Sequence, residues 1–443
     1  MKLGRKSVGE IGRRISSILV PSPYREDSTT VLKILLWVLI GLLIRFLFMP
    51  VSTHSDMLGI YGRSHLIAYH GWPTLPGMFA MGAHYLHALF LLIIKPFLTP
   101  LPGFDGLFYW HDKMYGCDLV DWARFITHPE IYRILFLLKA PYLVFDFACA
   151  FLLLHILSDR KKGLLAFIFW MVNPVSIYVV YIFGRYETLH LFFIILSLYF
   201  IKKNRFSLAL LILGVAVTIR IYPIMLLLPF AIILGRNFGK KVWLGFLGFV
   251  PWIISQIPNM ITKSRLEFGI AAESSFSGIF FGLKWDLLHF DALYVFVVGY
   301  ALIVLYSYYV LHYSFENLRR IGLAVLLVFF ALCYFHPQWF TWIAPFVVLE
   351  LVENRRLISL YAIQVVAVGV YTFNWGVYFA GWLFLPINPE FFRNIQGMTY
   401  YVSKIYSPEH VILTLRSIFT AVALFMVYLV FSRLSRQKKI SAR

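Results

Sequence analysis

Long uninterrupted apolar runs set the limits on what this chain can become. The runs 31–48, 164–180 and 411–431 each approach the roughly twenty residues that one helical bilayer crossing needs. Inside lipid the backbone must satisfy its own hydrogen bonds, and continuous apolar runs do so as helices rather than as the alternating strands of a barrel. With 60% hydrophobic and 14% charged residues and a mean hydropathy of +0.77, no water-soluble surface can be built from the remainder. The expected fold is an all-α polytopic membrane protein of one domain over 1–443, without an internal repeat.

The net charge of +19 points to membrane orientation rather than to nucleic acid. Basic residues collect in alternate turns: Lys2, Arg5, Lys6, Arg13 and Arg14, then 160–162, 202–203, 236–241, 319–320, 355–356 and 433–439. Placing all of them in the cytoplasm follows the positive-inside rule, gives about twelve spans (11–13), and puts both termini inside. The segments 1–30 and 432–443 are then cytoplasmic tails facing membrane lipids, and 51–130 is a long exterior loop. The N-terminal stretch has no short apolar region with a cleavage site, so it reads as a retained tail before a signal-anchor span. Cys117, Cys149 and Cys333 offer neither metal spacing nor a disulfide framework.

Within the exterior loop, 54–70 has the makings of a short helix and 80–97 of an interfacial one, since a crossing there would invert every later basic turn. Further exterior segments are expected at 184–188, 260–289, 336–339 and 385–410.

Polar residues at these exterior ends are the candidates for chemistry. Asp56 is either a helix N-cap, a role Ser55 fills equally well, or a carboxylate available for proton transfer. Arg63, two turns on, shares its face. Arg185 and Glu187 form either an interfacial charge pair or part of a site. Arg220, at the end of a short span and followed by Tyr222 and Pro223, suits a phosphate, because a guanidinium at membrane depth needs a polar partner. His336, Gln338 and Trp339 sit at another exterior span end, where Pro337 also suits a plain helix start and tryptophan a plain interface anchor. Asp146, in mid-span, is expected to hydrogen-bond between helices, and Lys139 to snorkel toward the surface. No phosphate-binding glycine loop, metal-ligand set or nucleophilic triad is present, so no cofactor is expected; metal dependence is left open by Asp112, Asp118 and Asp121.

Four of these elements, in order, resemble the GT-C glycosyltransferases, multi-span enzymes that use lipid-phosphate sugars. Ser55-Asp56 through Ile67-Ala68 to Gly71 is similar to the opening of bacterial polyprenyl-phosphate-dependent mannosyltransferases. Asn173-Pro174 followed by Gly184-Arg185-Tyr186-Glu187-Thr188 resembles their Asn-Pro and Gly-x-x-(Asp/Glu)-Ser/Thr elements. Arg220-Ile221-Tyr222-Pro223 is similar to a basic-x-Tyr-Pro element shared with the first GPI mannosyltransferase, and His336-Pro337-Gln338-Trp339 to a late exterior element. The GPI enzymes carry Asp-x-Asp where this chain has Asp56-Met57-Leu58, which argues against a metal-bridging carboxylate pair and against close identity with them.

The resemblance implies the GT-C fold and an inverting transfer of a hexose, with mannose the best guess, from a polyprenyl- or dolichyl-phosphate sugar to a lipid, glycan or protein acceptor on the exterior face. Asp56 is then the catalytic base, with Arg220, Arg63, Arg185, Glu187, Tyr222, His336 and Gln338 around the substrate. It further implies the inner membrane of a prokaryote, with the endoplasmic reticulum as the alternative. A lipid or sugar transporter or flippase, and a non-catalytic scaffold, are the rival readings; a transporter is expected to show repeated halves and interrupted helices at the midplane.

Overall fold

The computed structural model describes residues 20–73, 75, 80–98, 119–261, 278–287 and 291–441, with side chains to 434. Cys117, Asp112, Asp118, the basic residues before 20 and the middle of the 260–289 loop lie outside the described residues.

The chain is all-α, as its apolar runs require. In order come α1 (Ser28–Phe48), α2 (Ser55–Tyr69), α3 (Met81–Leu98), α4 (Leu119–Ile126), α5 (Ile131–Ile156), α6 (Arg160–Met171), α7 (Glu187–Lys202) and α8 (Phe206–Ile219). There follow α9 (Ile224–Leu234), α10 (Phe238–Ile261), α11 (Val295–Tyr309), α12 (Phe315–Leu332), α13 (Ala344–Leu351), α14 (Arg356–Tyr371) and α15 (Pro408–Ser441). Among the described residues strand is confined to a short antiparallel pair, β1 (Lys284–Asp286) and β2 (Ala292–Tyr294), with Trp285 opposite Leu293.

Among the described residues seven helical segments are long and apolar enough to cross a membrane: Ser28–Phe48, Met81–Leu98, Ile131–Ile156, Arg160–Ile182, Phe238–Ile261, Arg356–Phe379 and Pro408–Leu434. Helices α7 and α8, at 16 and 14 residues, are shorter than a full crossing. At 1.5 Å per residue they reach only about 24 and 21 Å, so the charges at their ends, Glu187 and Arg220, can lie below the membrane surface. Helix α3, expected to lie along the bilayer surface, is long and apolar enough to cross it; it buries one face and leaves Leu89, Leu92, Ile93 and Phe97 outward.

The α6 span is interrupted at Asn173-Pro174. The Asn173 side chain accepts the backbone N–H groups of Val175 and Ser176, restarting the helix after the break. A π-turn at Tyr178–Ile182 then ends on Gly184, whose φ of +88° is open to glycine without strain. This is how the chain turns sharply into Arg185 and Glu187.

A clasp of buried polar residues ties α1, α5 and the α6 segment together. Arg45 Nε donates to Asp146 Oδ2 at 2.7 Å, Trp170 Nε1 donates to Asp146 Oδ1 at 2.8 Å and the Tyr181 hydroxyl to Oδ2 at 2.7 Å. Asp146 thus makes the helix-to-helix contacts expected of it. Lys139 does not snorkel: it is fully buried, and its ammonium donates to the carbonyl oxygens of Ser52 and Tyr181. Those carbonyls are freed where the backbone leaves regular helix, which gives the lysine partners at depth. Cys149 and Cys333 are free and buried.

Candidate active site

The site is assembled where four chain segments that are remote in sequence meet. Helix α2 starts at Ser55, and its cap is His54 rather than either residue expected: His54 Nδ1 accepts the Asp56 N–H at 3.1 Å. The His54 ring stacks on Phe183 with centroids 4.1 Å apart, and the His54 backbone N–H donates to the Phe183 carbonyl at 2.9 Å. With the cap supplied by a neighbour, the Asp56 carboxylate is released from local duty and remains 38% exposed.

Asp56 faces Arg185. Arg185 Nη1 donates to Asp56 Oδ2 at 2.8 Å, so the partner of Asp56 is a residue 129 positions away rather than Arg63 on its own helix. Arg63 stands within electrostatic reach of Asp56, Arg185 and Tyr186. On its other side Arg185 approaches Glu187, Nε to Oε1 at 3.8 Å. The Arg185–Glu187 interfacial pair is therefore one link of a longer chain of charges.

Glu187 is wholly buried and is held by three groups. Arg220 Nη2 donates to Oε1 at 2.6 Å, Trp342 Nε1 donates to Oε2 at 3.1 Å, and His190 Nδ1 lies 3.5 Å from Oε2. Tyr186 lies under both guanidinium groups, with Arg220 4.5 Å and Arg185 5.2 Å from the ring centre. Tyr222 stacks on Trp342 at 3.9 Å with planes 5° apart, and Trp339 continues the stack at 5.0 Å. This gives Trp339 more than an anchoring role at the membrane interface.

The electrostatics follow from the sequence of signs: Asp56, Arg185, Glu187 and Arg220 alternate, and Arg63 adds a third cation. Burial alone would raise the Asp56 carboxyl, but Arg185, His54 and Arg220 outweigh it and hold the group well below the usual carboxylate range. His336 feels Asp56, Arg185 and Arg220, and burial lowers its imidazole below its ordinary value. Gln338 is buried in the same 3₁₀ stretch (Pro337–Ile343) that carries Trp342.

Several polar atoms here have no hydrogen-bond partner within the chain: Nε of Arg63, Arg185 and Arg220, the Tyr222 hydroxyl, His336 Nδ1 and Gln338 Oε1. Buried donors and acceptors are seldom left in this condition except where something else binds. The arrangement can therefore accept a proton at Asp56 and bind an anion between guanidinium groups a few ångströms away. Among the described residues no group of three or more His, Cys, Asp or Glu could hold a metal ion. Asp121, raised as a possible ligand, is paired with Arg124 at 2.8 Å.

The sequence reading missed Trp342, Tyr186, His190 and His54. Trp342 carried a signal, lying three residues after Trp339 and so one 3₁₀ turn away. Arg45 did too, since a lone arginine and a lone aspartate in separate spans are natural partners.

Residues 180–276 match a family model described as Mannosyltransferase (PIG-M), a stretch that contains Arg185, Glu187, Arg220 and Tyr222. GPI mannosyltransferase 1 of Dictyostelium discoideum is 24% identical over 244 residues, covering 53% of each chain. GPI mannosyltransferase 1 of Saccharomyces cerevisiae is 29% identical over 112 residues, 24% of this chain and 28% of that protein. The protein of the same name from Eremothecium gossypii is 29% identical over 111 residues, 25% and 28% of the two chains. The chain thus spans about half the length, or less, of the curated relatives it matches. By these matches and by the order of its own motifs, the chain is similar over part of its length to PIG-M type mannosyltransferases.

Proposed function

We propose that the protein transfers mannose from a polyprenyl- or dolichyl-phosphate donor to a hydroxyl of a lipid, glycan or protein acceptor on the exterior face of the membrane, with inversion at the anomeric carbon. The observation that carries this reading is one accessible carboxylate, Asp56, bonded to a guanidinium that belongs to a cluster of three. The acceptor oxygen attacks the anomeric carbon, the bond from that carbon to the phosphate oxygen breaks, and its electron pair leaves on the phosphate. Asp56 takes the acceptor proton. Arg185, Arg220 and Arg63 meet the charge that grows on the phosphate, and Arg185 and Arg220 are largely buried, which limits solvent screening of their charge. Glu187, buried and triply held, orients Arg185 and Arg220 rather than taking the proton.

Paired with Arg185, Asp56 is a weak base. A donor phosphate competes for Arg185, and a carboxylate released from that contact regains its proton affinity, so the base is strengthened when the donor is in place. Leu58, where the GPI enzymes have their second carboxylate, is fully buried in the apolar cluster under α2, which supports a single-carboxylate mechanism. The proposed setting is the inner membrane of a prokaryote with both termini cytoplasmic; the eukaryotic sources of the curated relatives favour the endoplasmic reticulum as the alternative.

The test is sugar transfer by the purified protein in lipid from labelled polyprenyl-phosphate mannose into a pool of lipid and glycan acceptors, with Asp56→Asn alongside. Transfer by the wild type that collapses in the variant, with donor binding retained, is the expected result. Equal transfer by both removes Asp56 from the chemistry.

A further inference from the structure

At the end of α8 remote from Arg220 lies a second polar recess of about 670 Å³, between the turn at Asn204, the α9–α10 turn and the C-terminal end of α11. Two permanent cations, Arg236 and Lys241, line it together with His312, Tyr308 and Tyr313, and no acidic side chain is among its lining residues. Lys241 is held in place: its ammonium lies 4.0 Å from the centre of the Tyr308 ring, and its stem runs against Gly235, where a Cβ would come within 2.5 Å of Lys241 Cγ. The Tyr313 hydroxyl anchors one side, its single proton shared between the Ile201 carbonyl at 3.3 Å and Asn204 Oδ1 at 3.2 Å.

A second observation is the sign of the charge at the start of α10. A helix N-terminus favours anions, yet the first turn of α10 holds Lys240 and Lys241 and no acid, with Asn237 Oδ1 accepting the Lys240 N–H at 2.8 Å. Lys240 Nζ reaches Ser207 Oγ at 3.5 Å and Lys241 lies on the Tyr308 ring, so neither lysine offsets the positive end of the dipole and the turn as a whole attracts an anion. A third observation is the surface leading away from the recess. Phe238, Val242, Phe246, Phe249 and Ile253 form one outward stripe along α10, from 74% exposed at Phe238 to 42% at Ile253, the shape an acyl chain can follow.

We propose that this recess binds the phosphate-bearing headgroup of an anionic membrane lipid, with its acyl chain lying along the α10 stripe. Basic pockets between membrane helices recognise such headgroups, and the basic turns that form this one are those expected to face the anionic cytoplasmic leaflet. The stripe favours a lipid over a free phosphate. The site is at the other end of α8 from Asp56 and does not depend on the transfer reaction.

The experiment is native mass spectrometry of the full chain in detergent, titrated separately with dioleoyl phosphatidic acid, dioleoyl phosphatidylcholine and inorganic phosphate. The proteins compared are the wild type, the double variant Arg236→Gln/Lys241→Gln, the charge-preserving Lys241→Arg, and Lys404→Gln as a control outside the recess. The wild type is expected to retain phosphatidic acid in clear preference to phosphatidylcholine. The double variant should weaken that binding about fivefold per charge removed, roughly 25-fold in all, while Lys241→Arg and Lys404→Gln stay near wild type. Equal retention by the double variant, or no preference for phosphatidic acid, overturns the proposal. Inorganic phosphate bound as tightly as the lipid also overturns it, since the recess would then be a soluble-anion site.

Discussion

Two arginine–carboxylate clusters, one around Asp146 between helices α1, α5 and α6 and one around Asp56 at the helix ends, share their chemistry and differ in how completely they are satisfied. At the interior clasp, Asp146 accepts from Arg45, Trp170 and Tyr181, and Arg45 Nη1 also donates to the carbonyls of Gly41 and Met171, leaving only Nη2 without a partner. At the Asp56 cluster, three guanidinium Nε atoms, a tyrosine hydroxyl and an imidazole nitrogen have no hydrogen-bond partner among the described residues, and Asp56 is still partly exposed. A saturated buried network rigidifies the packing of helices, whereas an unsaturated one has capacity for a ligand. The difference is in saturation rather than in the ion pair itself, since both pairs have the same 2.7–2.8 Å contact, and it is the reason the proposed chemistry is placed at Asp56 rather than at Asp146.

The comparison breaks most readily at the two aspartates. Asp56→Asn should lower turnover by about 10²- to 10⁴-fold, the usual worth of a positioned general base, with the melting temperature near wild type. Asp146→Asn should do the reverse, leaving the Asp56 cluster intact while destabilising the fold by about 3–5 kcal/mol, because the Arg45 charge is left buried without its counter-ion. Detergent-solubilised thermal unfolding alongside transfer rates separates the two. If Asp56→Asn unfolds the protein and Asp146→Asn only slows it, the assignment is inverted.

A smaller effect is expected at Trp342→Phe, which keeps the stack on Tyr222 but removes one hydrogen bond to a buried carboxylate. The loss should be about 1.5–3 kcal/mol of transition-state stabilisation or stability, divided between kcat and melting temperature. No change in either quantity would make the contact to Glu187 incidental.

The smallest and most diagnostic effect is on pH dependence. The Asp56 carboxyl is depressed in the folded protein, so its contribution to stability is present above its unfolded value of about 3.9 and is lost as pH falls through the lower folded value. Between neutrality and pH 5 neither stability nor kcat/KM should change on account of Asp56. Because kcat reports the donor complex, in which phosphate competes for Arg185, its acid limb should lie at higher pH than that of kcat/KM. Superimposed limbs would mean that Arg185 stays on Asp56 throughout the cycle.

Much of the fold is legible from the chain because hydropathy and charge act locally. The α1 boundaries fall within a few residues of the apolar run 31–48, α8 ends next to Arg220 as expected, and α2 occupies the short helix expected between His54 and His70. The site is legible only as an inventory. Asp56, Arg185, Glu187 and Arg220 are each recognisable as charges at helix ends, but the Asp56–Arg185 pairing spans 129 residues and the Trp342–Glu187 contact 155. No periodicity carries pairing information across such separations.

Composition and the apolar runs are enough to determine an all-α membrane protein, because partition into lipid and backbone self-satisfaction depend on each segment by itself; the order of four short motifs adds only a resemblance to mannosyltransferases. Tertiary structure decided which arginine meets which carboxylate, that His54 and not Asp56 caps α2, and that Lys139 is held at depth by two carbonyls. Those outcomes depend on distances between segments and on whether a buried charge finds a partner. Such quantities exist only once the helices have packed.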